Sequence, residues 1–407
     1  MKNSLMLEAL DGVNMKKLSK LSIIMAAGLP LLAGGIAAGF ILLGKRGEKP
    51  GQAASSQTAA LHEPALKTED ITDGLSHVWD MVFVDDDIMV FDERSGNLRG
   101  ADVSTKSDWQ IATVPNVRAE GEGGLLGLAR DNEFAANRYI YACYNAAGSK
   151  RAVKVTRFKL AADYKTASEF TDIINDIQSQ GGRHSGCRMV MDQHGVLWIG
   201  TGDSAIGTAA QDKRSLAGKL LRVTRDGKAA EGNAGAGFDA RIFNYGHRNI
   251  QGLVLLHTKL ANGAIGLSSE HGPDKQDEVN WVMPGNFGWD PVGSAYNESV
   301  PMTDKAKYPD AIDAVWNSGS STVAVSGMTF LTNSRWSQYQ GWLAMATLKG
   351  QHVRLLQING DGSVVNDKKV LEDFGRIRTV VEGPNGDLYL ATDNGSGQDK
   401  IIRVIPE

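Results

Sequence analysis

The chain has only two cysteines, Cys143 and Cys187, in 407 residues. Export would permit a bridge between them. Two cysteines so far apart in sequence serve equally well as small buried thiols, and no bridge is expected. A large excess of one charge is also missing: the formal net charge is -4, which gives no electrostatic reason to expect nucleic acid as a partner. No histidine or cysteine pair has the spacing of a zinc site. Phosphate-cradling glycine loops, a Ser-His-Asp order and a dinucleotide fingerprint are absent as well, so a nicotinamide cofactor is not implied. Continuous helical periodicity is lacking beyond the N-terminal segment.

What is present is a globular composition, 42% hydrophobic and 22% charged, with material for a sizeable core in one large domain or two ordinary ones. Forty-seven glycines suit an all-β fold with many tight turns. The N-terminus differs in kind. Residues 1–20 are basic, and Leu21 to Leu43 is an uncharged apolar run, long enough to cross a bilayer as a helix. It reads as a single transmembrane signal anchor rather than a cleaved signal peptide, whose apolar core is shorter. Lys16, Lys17 and Lys20 before it and Lys45, Arg46 and Lys49 after it leave its orientation open. No Cys follows the run, which argues against a lipidated anchor. The remainder is expected outside the cytoplasm, in the periplasm or its equivalent. Residues 44–70, rich in Gly, Ala, Ser, Gln and Lys in their first part, read as a flexible tether, and 71–407 as the folded domain.

Within that domain one pattern recurs: a short apolar strand, a polar turn, then a second strand. The pairs begin at Trp79 and Ile88, Leu125 and Tyr139, Arg188 and Val196, Gln251 and Ala264, Gly327 and Trp342, and Arg378 and Asp387. Six copies at this spacing predict a six-bladed β-propeller, with a pair of β-sandwiches as the alternative. Residues 161–180 fit either a short helix or an inter-strand insertion.

The chemically distinctive residues sit just before or after these strands. His184, in Gly181-Gly182-Arg183-His184-Ser185-Gly186, carries an imidazole, the side chain best suited to accept a proton at working pH; an exposed turn histidine is the plainer reading. Its flanking glycines let backbone approach a ligand closely. Asp203 ends the next strand, where a carboxylate would orient that imidazole or simply cap a turn. Arg248 and Asn249 follow Tyr245-Gly246-His247. An arginine keeps its charge and can hold an anion or a developing oxyanion. Lys349, Arg376 and Arg378 add cations from two further copies, and the period of two places both arginines on one face. Together they suit a small ligand with several carboxylates, against the plainer reading of scattered surface charge. Glu270-His271-Gly272-Pro273, with Asp277 and Glu278 behind it, is a turn rich in oxygen donors of the kind calcium takes. A base and a fixed cation on repeated strands suit removal of a hydride from an alcohol.

Taken together, Glu120-Gly121-Glu122-Gly123-Gly124-Leu125-Leu126-Gly127, Gly182-Arg183-His184, Tyr245 to Asn249, Glu270 to Pro273 and Gly375-Arg376-Ile377-Arg378 resemble the motifs of the soluble pyrroloquinoline-quinone-dependent aldose sugar dehydrogenases of the glucose/sorbosone dehydrogenase family. The resemblance runs from about Asp73 to Pro406. It implies a six-bladed propeller that oxidises aldoses at C1 and passes the electrons to a separate acceptor. His184 would be the base and Asp203 its support. Arg248 would stabilise charge on the quinone, with Asn249 and Glu122 contacting it. Lys349, Arg376 and Arg378 would pair with its carboxylates. The carbonyls of Gly272 and Pro273 would hold calcium, with Asp277 and Glu278 as further oxygen donors. Three departures stand out: Glu122 in place of a glutamine, Ile250 in place of a proline, and Cys187 after the base motif. An added carboxylate at 122 would change sugar preference or the basicity of the base. A non-catalytic binding propeller and a calcium-dependent lactonase are the alternatives. A binder has no need of this set of residues. A lactonase would require several side-chain carboxylates on its metal.

Overall fold

Six four-stranded antiparallel sheets make up the domain. The computed structural model describes residues 62–148, 151–292 and 296–407. The anchor assigned to 21–43 lies outside the described residues; among those described, no helix is long and apolar enough to cross a membrane.

Blade 6 is completed by the first strand of the described residues. Strand β1 (Leu66–Leu75) pairs antiparallel with the last strand, Leu66 opposite Pro406 and Leu75 opposite Asp399. Blade 1 holds β2 (Val78–Phe83), β3 (Ile88–Glu93), β4 (Asn97–Asp102) and β5 (Ser107–Thr113). Blade 2 holds β6 (Leu125–Arg130), β7 (Tyr139–Asn145), β8 (Ala152–Leu160) and β9 (Ala167–Gln178). Blade 3 comprises β10 (Gly186–Met191), β11 (Leu197–Thr201), β12 (Lys219–Val223) and β13 (Ile242–Tyr245). Blade 4 comprises β14 (Ile250–Leu255), β15 (Gly266–Glu270), β16 (Glu278–Trp281) and β17 (Trp316–Asn317). Blade 5 is β18 (Val325–Phe330), β19 (Leu343–Thr347), β20 (Val353–Ile358) and β21 (Val364–Val370). Strands β22 (Ile377–Glu382), β23 (Leu388–Thr392) and β24 (Asp399–Pro406) complete blade 6 with β1.

The first strand of each pair read from the sequence is the innermost strand of a blade. The six inner strands touch in sequence, β2 to β6 to β10 to β14 to β18 to β22, and β22 closes the ring on β2. These strands are buried and largely apolar because both faces meet a neighbouring blade, with charged exceptions such as Asp80, Arg188 and Arg378. Each seam between blades holds its own apolar cluster. One example is Trp198, Leu220 and Phe243 of blade 3 against Ile250, Leu253 and Val282 of blade 4.

Three expectations need correction. The tether expected over 44–70 ends sooner, since Leu66 to Asp70 already belong to β1. As an outer edge strand carrying Lys67, Glu69 and Asp70, it lacks the apolar pattern of a buried one. Most of 161–180 is the edge strand β9, not a helix. Finally, Cys143 of β7 and Cys187 of β10 are bonded, with Cα atoms 5.5 Å apart. The bridge crosses the seam between blades 2 and 3. Sequence distance says nothing about which strands a ring brings together. Closing a loop of this length restricts the unfolded chain and stabilises the fold by roughly 4 kcal/mol in the chain-entropy treatment.

Candidate active site

In an antiparallel blade the start of the first strand and the end of the second lie at the same rim. Glu122, His184, Arg248, Asn249 and Arg376 precede inner strands; Asp203, Gly272, Pro273 and Lys349 follow second strands. All of them are therefore gathered at one mouth of the central channel. A cavity of ≈ 140 Å³ opens there, lined in part by Trp79, Glu122, Ser185, His271, Arg376 and Arg378. A larger one, ≈ 830 Å³, is lined by the far ends of the same inner strands, such as Met191, Leu255 and Glu382. The buried Asp80–Arg188 ion pair lies at its inner end. None of the candidate site residues lines this larger cavity.

His184 is 2% exposed and Asp203 fully buried, so the plainer reading of a solvent histidine does not hold; Asp203 does cap its turn, accepting from Ala205 N at 2.8 Å, and reaches the imidazole as well. His184 Nδ1 lies 2.9 Å from Asp203 Oδ1. With Nδ1–H donating to the carboxylate, Nε2 is left as the proton acceptor. The other carboxylate oxygen accepts from Trp289 Nε1 at 2.7 Å and from the Tyr296 hydroxyl at 2.5 Å. The Tyr296 oxygen is also 3.2 Å from His184 Nδ1. Burial, then the Asp203 charge, push the Tyr296 phenol far above its ordinary range, so it stays a donor. The His184 backbone N–H donates to Glu122 Oε2 at 3.2 Å.

The glycines around His184 serve close approach of the protein backbone to itself. A Cβ on Gly182 would stand 2.1 Å from the Glu120 carbonyl, and one on Gly186 2.5 Å from Thr201 and Gly202 backbone atoms. His184 itself has φ 47° and Cys187 φ 82°, left-handed conformations that a non-glycine residue adopts only where its surroundings enforce them. The disulfide at Cys187 is one such restraint.

The cations differ in how far they are already compensated. Arg248 donates through Nη1 to the His271 carbonyl at 3.0 Å and through Nη2 to Glu298 Oε1 at 2.5 Å. Asn249 Oδ1 accepts from Gly186 N at 3.1 Å and from Gln251 Nε2 at 3.0 Å, pinning the base loop to blade 4. Arg378 is paired with Asp393. Burial raises the carboxyl of Asp393, but Arg378 and His77 outweigh it and hold it well below the usual range. Arg376 lines the same cavity but donates its Nε only to the Asp393 carbonyl, at 3.1 Å. Lys349 is exposed, and it is its neighbour Leu348 that lines the cavity.

At the oxygen-rich turn, both oxygens of Asp277 are taken by protein donors: Gly272 N, Thr322 Oγ1, Val323 N and Ala324 N. Glu278 accepts from Asn280 and Thr303, and burial followed by the neighbouring Glu270 pushes it up to about 8. These two side chains shape the turn. Burial pushes the His271 imidazole down to about 3, so it is neutral. His247 is a structural histidine, with Nδ1 2.8 Å from Glu270 and Nε2 3.0 Å from Asn244.

Sequence reasoning missed Trp289, Tyr296 and Glu298. They come from the described parts, 282–292 and 296–315, of the connection between β16 and β17, from which Trp289 and Tyr296 reach Asp203 of blade 3. Trp289 packs there with Ala210 and Met302 against Tyr296. Its length and its aromatic residues, in excess of what a turn needs, are the signal that could have found them. Replacing Tyr296 by Phe is expected to leave Asp203 a stronger partner for an imidazolium. The acidic limb of the pH profile of kcat/KM should then move upward by about 0.5–1 unit, given ~1 kcal/mol for the lost hydrogen bond and about 1.4 kcal/mol per unit. An unmoved profile would assign the hydroxyl a packing role only.

Among the described residues, Ser185 Oγ, Arg248 Nε, Asn249 Nδ2 and His271 Nε2 are buried without a hydrogen-bond partner. Ser185 and His271 are cavity-lining, and the other two adjoin it. Orphaned polar atoms beside an uncompensated arginine fit a polar, anionic ligand.

The glucose/sorbosone dehydrogenase family model matches residues 75–403. Aldose sugar dehydrogenase YliI of Escherichia coli is 32% identical over 361 residues, covering 84% of this chain and 93% of that protein. The apo crystal structure of the soluble aldose sugar dehydrogenase from Escherichia coli superposes with a TM-score of 0.73 at 31% identity, over 84% of this chain and 100% of that one. The pyrroloquinoline-quinone-bound aldose sugar dehydrogenase of Streptomyces coelicolor gives a TM-score of 0.69 at 25% identity, over 86% and 100%.

Proposed function

Because the chain belongs to the glucose/sorbosone dehydrogenase family, we propose that it is a quinoprotein that oxidises aldose sugars at C1 to the lactone. The observation that carries this reading is the His184–Asp203 pair at the same rim as an uncompensated Arg376. His184 Nε2 takes the proton of the C1 hydroxyl, while Asp203 fixes the tautomer and stabilises the imidazolium. Trp289 and Tyr296 hold the carboxylate in place for that task. When bound, pyrroloquinoline quinone supplies the two-electron acceptor for the hydride leaving C1. Arg376, Arg378 and Lys349 would hold its carboxylates, and Arg248, Asn249 and Glu122 its ring system. The carbonyls of Gly272 and Pro273 would hold a calcium ion, a Lewis acid beside the quinone. Asp277 and Glu278, drawn in sequence as further oxygen donors, act by fixing that turn.

The disulfide suits an oxidising compartment, and with the apolar run 21–43 it supports export and membrane attachment. Electrons then pass to a separate acceptor. The lactonase alternative loses its support, since the carboxylates behind Gly272 are spent on protein donors.

The test is to add quinone and calcium to the cofactor-free full chain and to follow dye reduction with a panel of aldoses. Reduction that requires both sugar and quinone is expected. No reduction, together with no quinone binding, would overturn the proposal.

A further inference from the structure

Glu298 is an acid that neither the base nor the cation set calls for. It bridges two arginines at the mouth of the site: Oε1 is 2.5 Å from Arg248 Nη2, and Oε2 is 2.6 Å from Arg183 Nη2. The partners differ in freedom. The Arg248 side chain is 5% exposed and that of Glu298 35%. Arg248 is fixed from behind, through Nη1 to the His271 carbonyl and through its backbone N–H to Glu270 Oε2 at 2.7 Å. Burial raises the Glu298 carboxyl, but Arg248 and Arg183 outweigh it and hold it below the usual range, so it carries a full charge.

We propose that Glu298 is a built-in counter-anion for Arg248, and that an anionic cofactor seats by exchange, its own negative charge taking the place of the Glu298 carboxylate. The inference rests on the quinone reading above. Of the two groups that Arg248 Nη1 and Nη2 meet, one is a backbone carbonyl and cannot leave, while the other is a rim side chain that can. In the unloaded protein the bridge keeps a buried guanidinium from standing unpaired, which would be strongly unfavourable. Its price is competition with the ligand.

The experiment is equilibrium binding of pyrroloquinoline quinone to the full chain, in calcium, read by quenching of tryptophan fluorescence. Glu298→Gln keeps size and polarity and removes the competing charge. It is expected to tighten Kd by about ten-fold, equivalent to about 1.4 kcal/mol. Asp226→Asn removes the same charge at the other end of blade 3 and should leave Kd unchanged. Glu298→Asp, with the charge drawn back by one methylene, should fall between Gln and the parent. An unchanged or weakened Kd in Glu298→Gln, with an unfolding midpoint like that of the parent, would overturn the exchange while leaving the quinone reading intact. No binding by the parent and by every variant would overturn that reading, and the exchange with it.

Discussion

Replacing His184 by Ala is expected to lower kcat/KM for an aldose by about 10²–10⁴-fold, the usual contribution of a general base, without weakening quinone binding. The two effects separate because the imidazole is tied to Asp203 and not to any of the cations. The buried carboxylate keeps three donors after the change: Ala205 N, Trp289 Nε1 and the Tyr296 hydroxyl. The site should therefore not collapse. Position 184 is left-handed at φ 47°, a conformation asparagine tolerates better than alanine. His184→Asn is thus the gentler companion variant, and both should be equally inactive. Steady-state rates with an artificial dye, alongside quinone titration, decide the matter. Full activity in either variant would remove His184 from the mechanism.

Arg376→Ala is expected to act in the opposite sense, weakening quinone affinity by about 10–100-fold, as for the loss of one charge-assisted hydrogen bond. Among the described residues Arg376 has no carboxylate partner within salt-bridge distance, and its Nε meets only the Asp393 carbonyl, so its charge is available to a ligand. Removing it leaves no buried acid stranded. Arg378→Ala would also expose the compensation of Asp393, whose side chain is 5% exposed, and should lower the unfolding midpoint as well. Binding titrations and thermal unfolding of the two variants separate a ligand-facing arginine from one that also holds the fold. Unchanged affinity in Arg376→Ala would count against the carboxylate role.

Neither the contrast between the two arginines nor the Glu298 bridge can be read from the sequence. Period two places residues 376 and 378 on one side of a strand, and both do reach the same cavity. Which of them meets Asp393 depends on the end of β23, one strand away. Trp289, Tyr296 and Glu298 belong to blade 4 in sequence and to the base of blade 3 in space. The disulfide joins strands of different blades for the same reason. Strand β1 escaped notice because a charged edge strand looks like a linker until its partner, at the far end of the chain, is known.

The sequence by itself determined the number of blades, since inner strands buried on both faces carry a dense apolar signature that repeats. It also determined that the chemistry gathers at one mouth, because residues before the first strand and after the second share a rim in any antiparallel blade. Only the tertiary structure decided which charges are compensated and which are free. That depends on separations of a few ångströms and on burial, through which a carboxylate of a remote segment either reaches an arginine or does not.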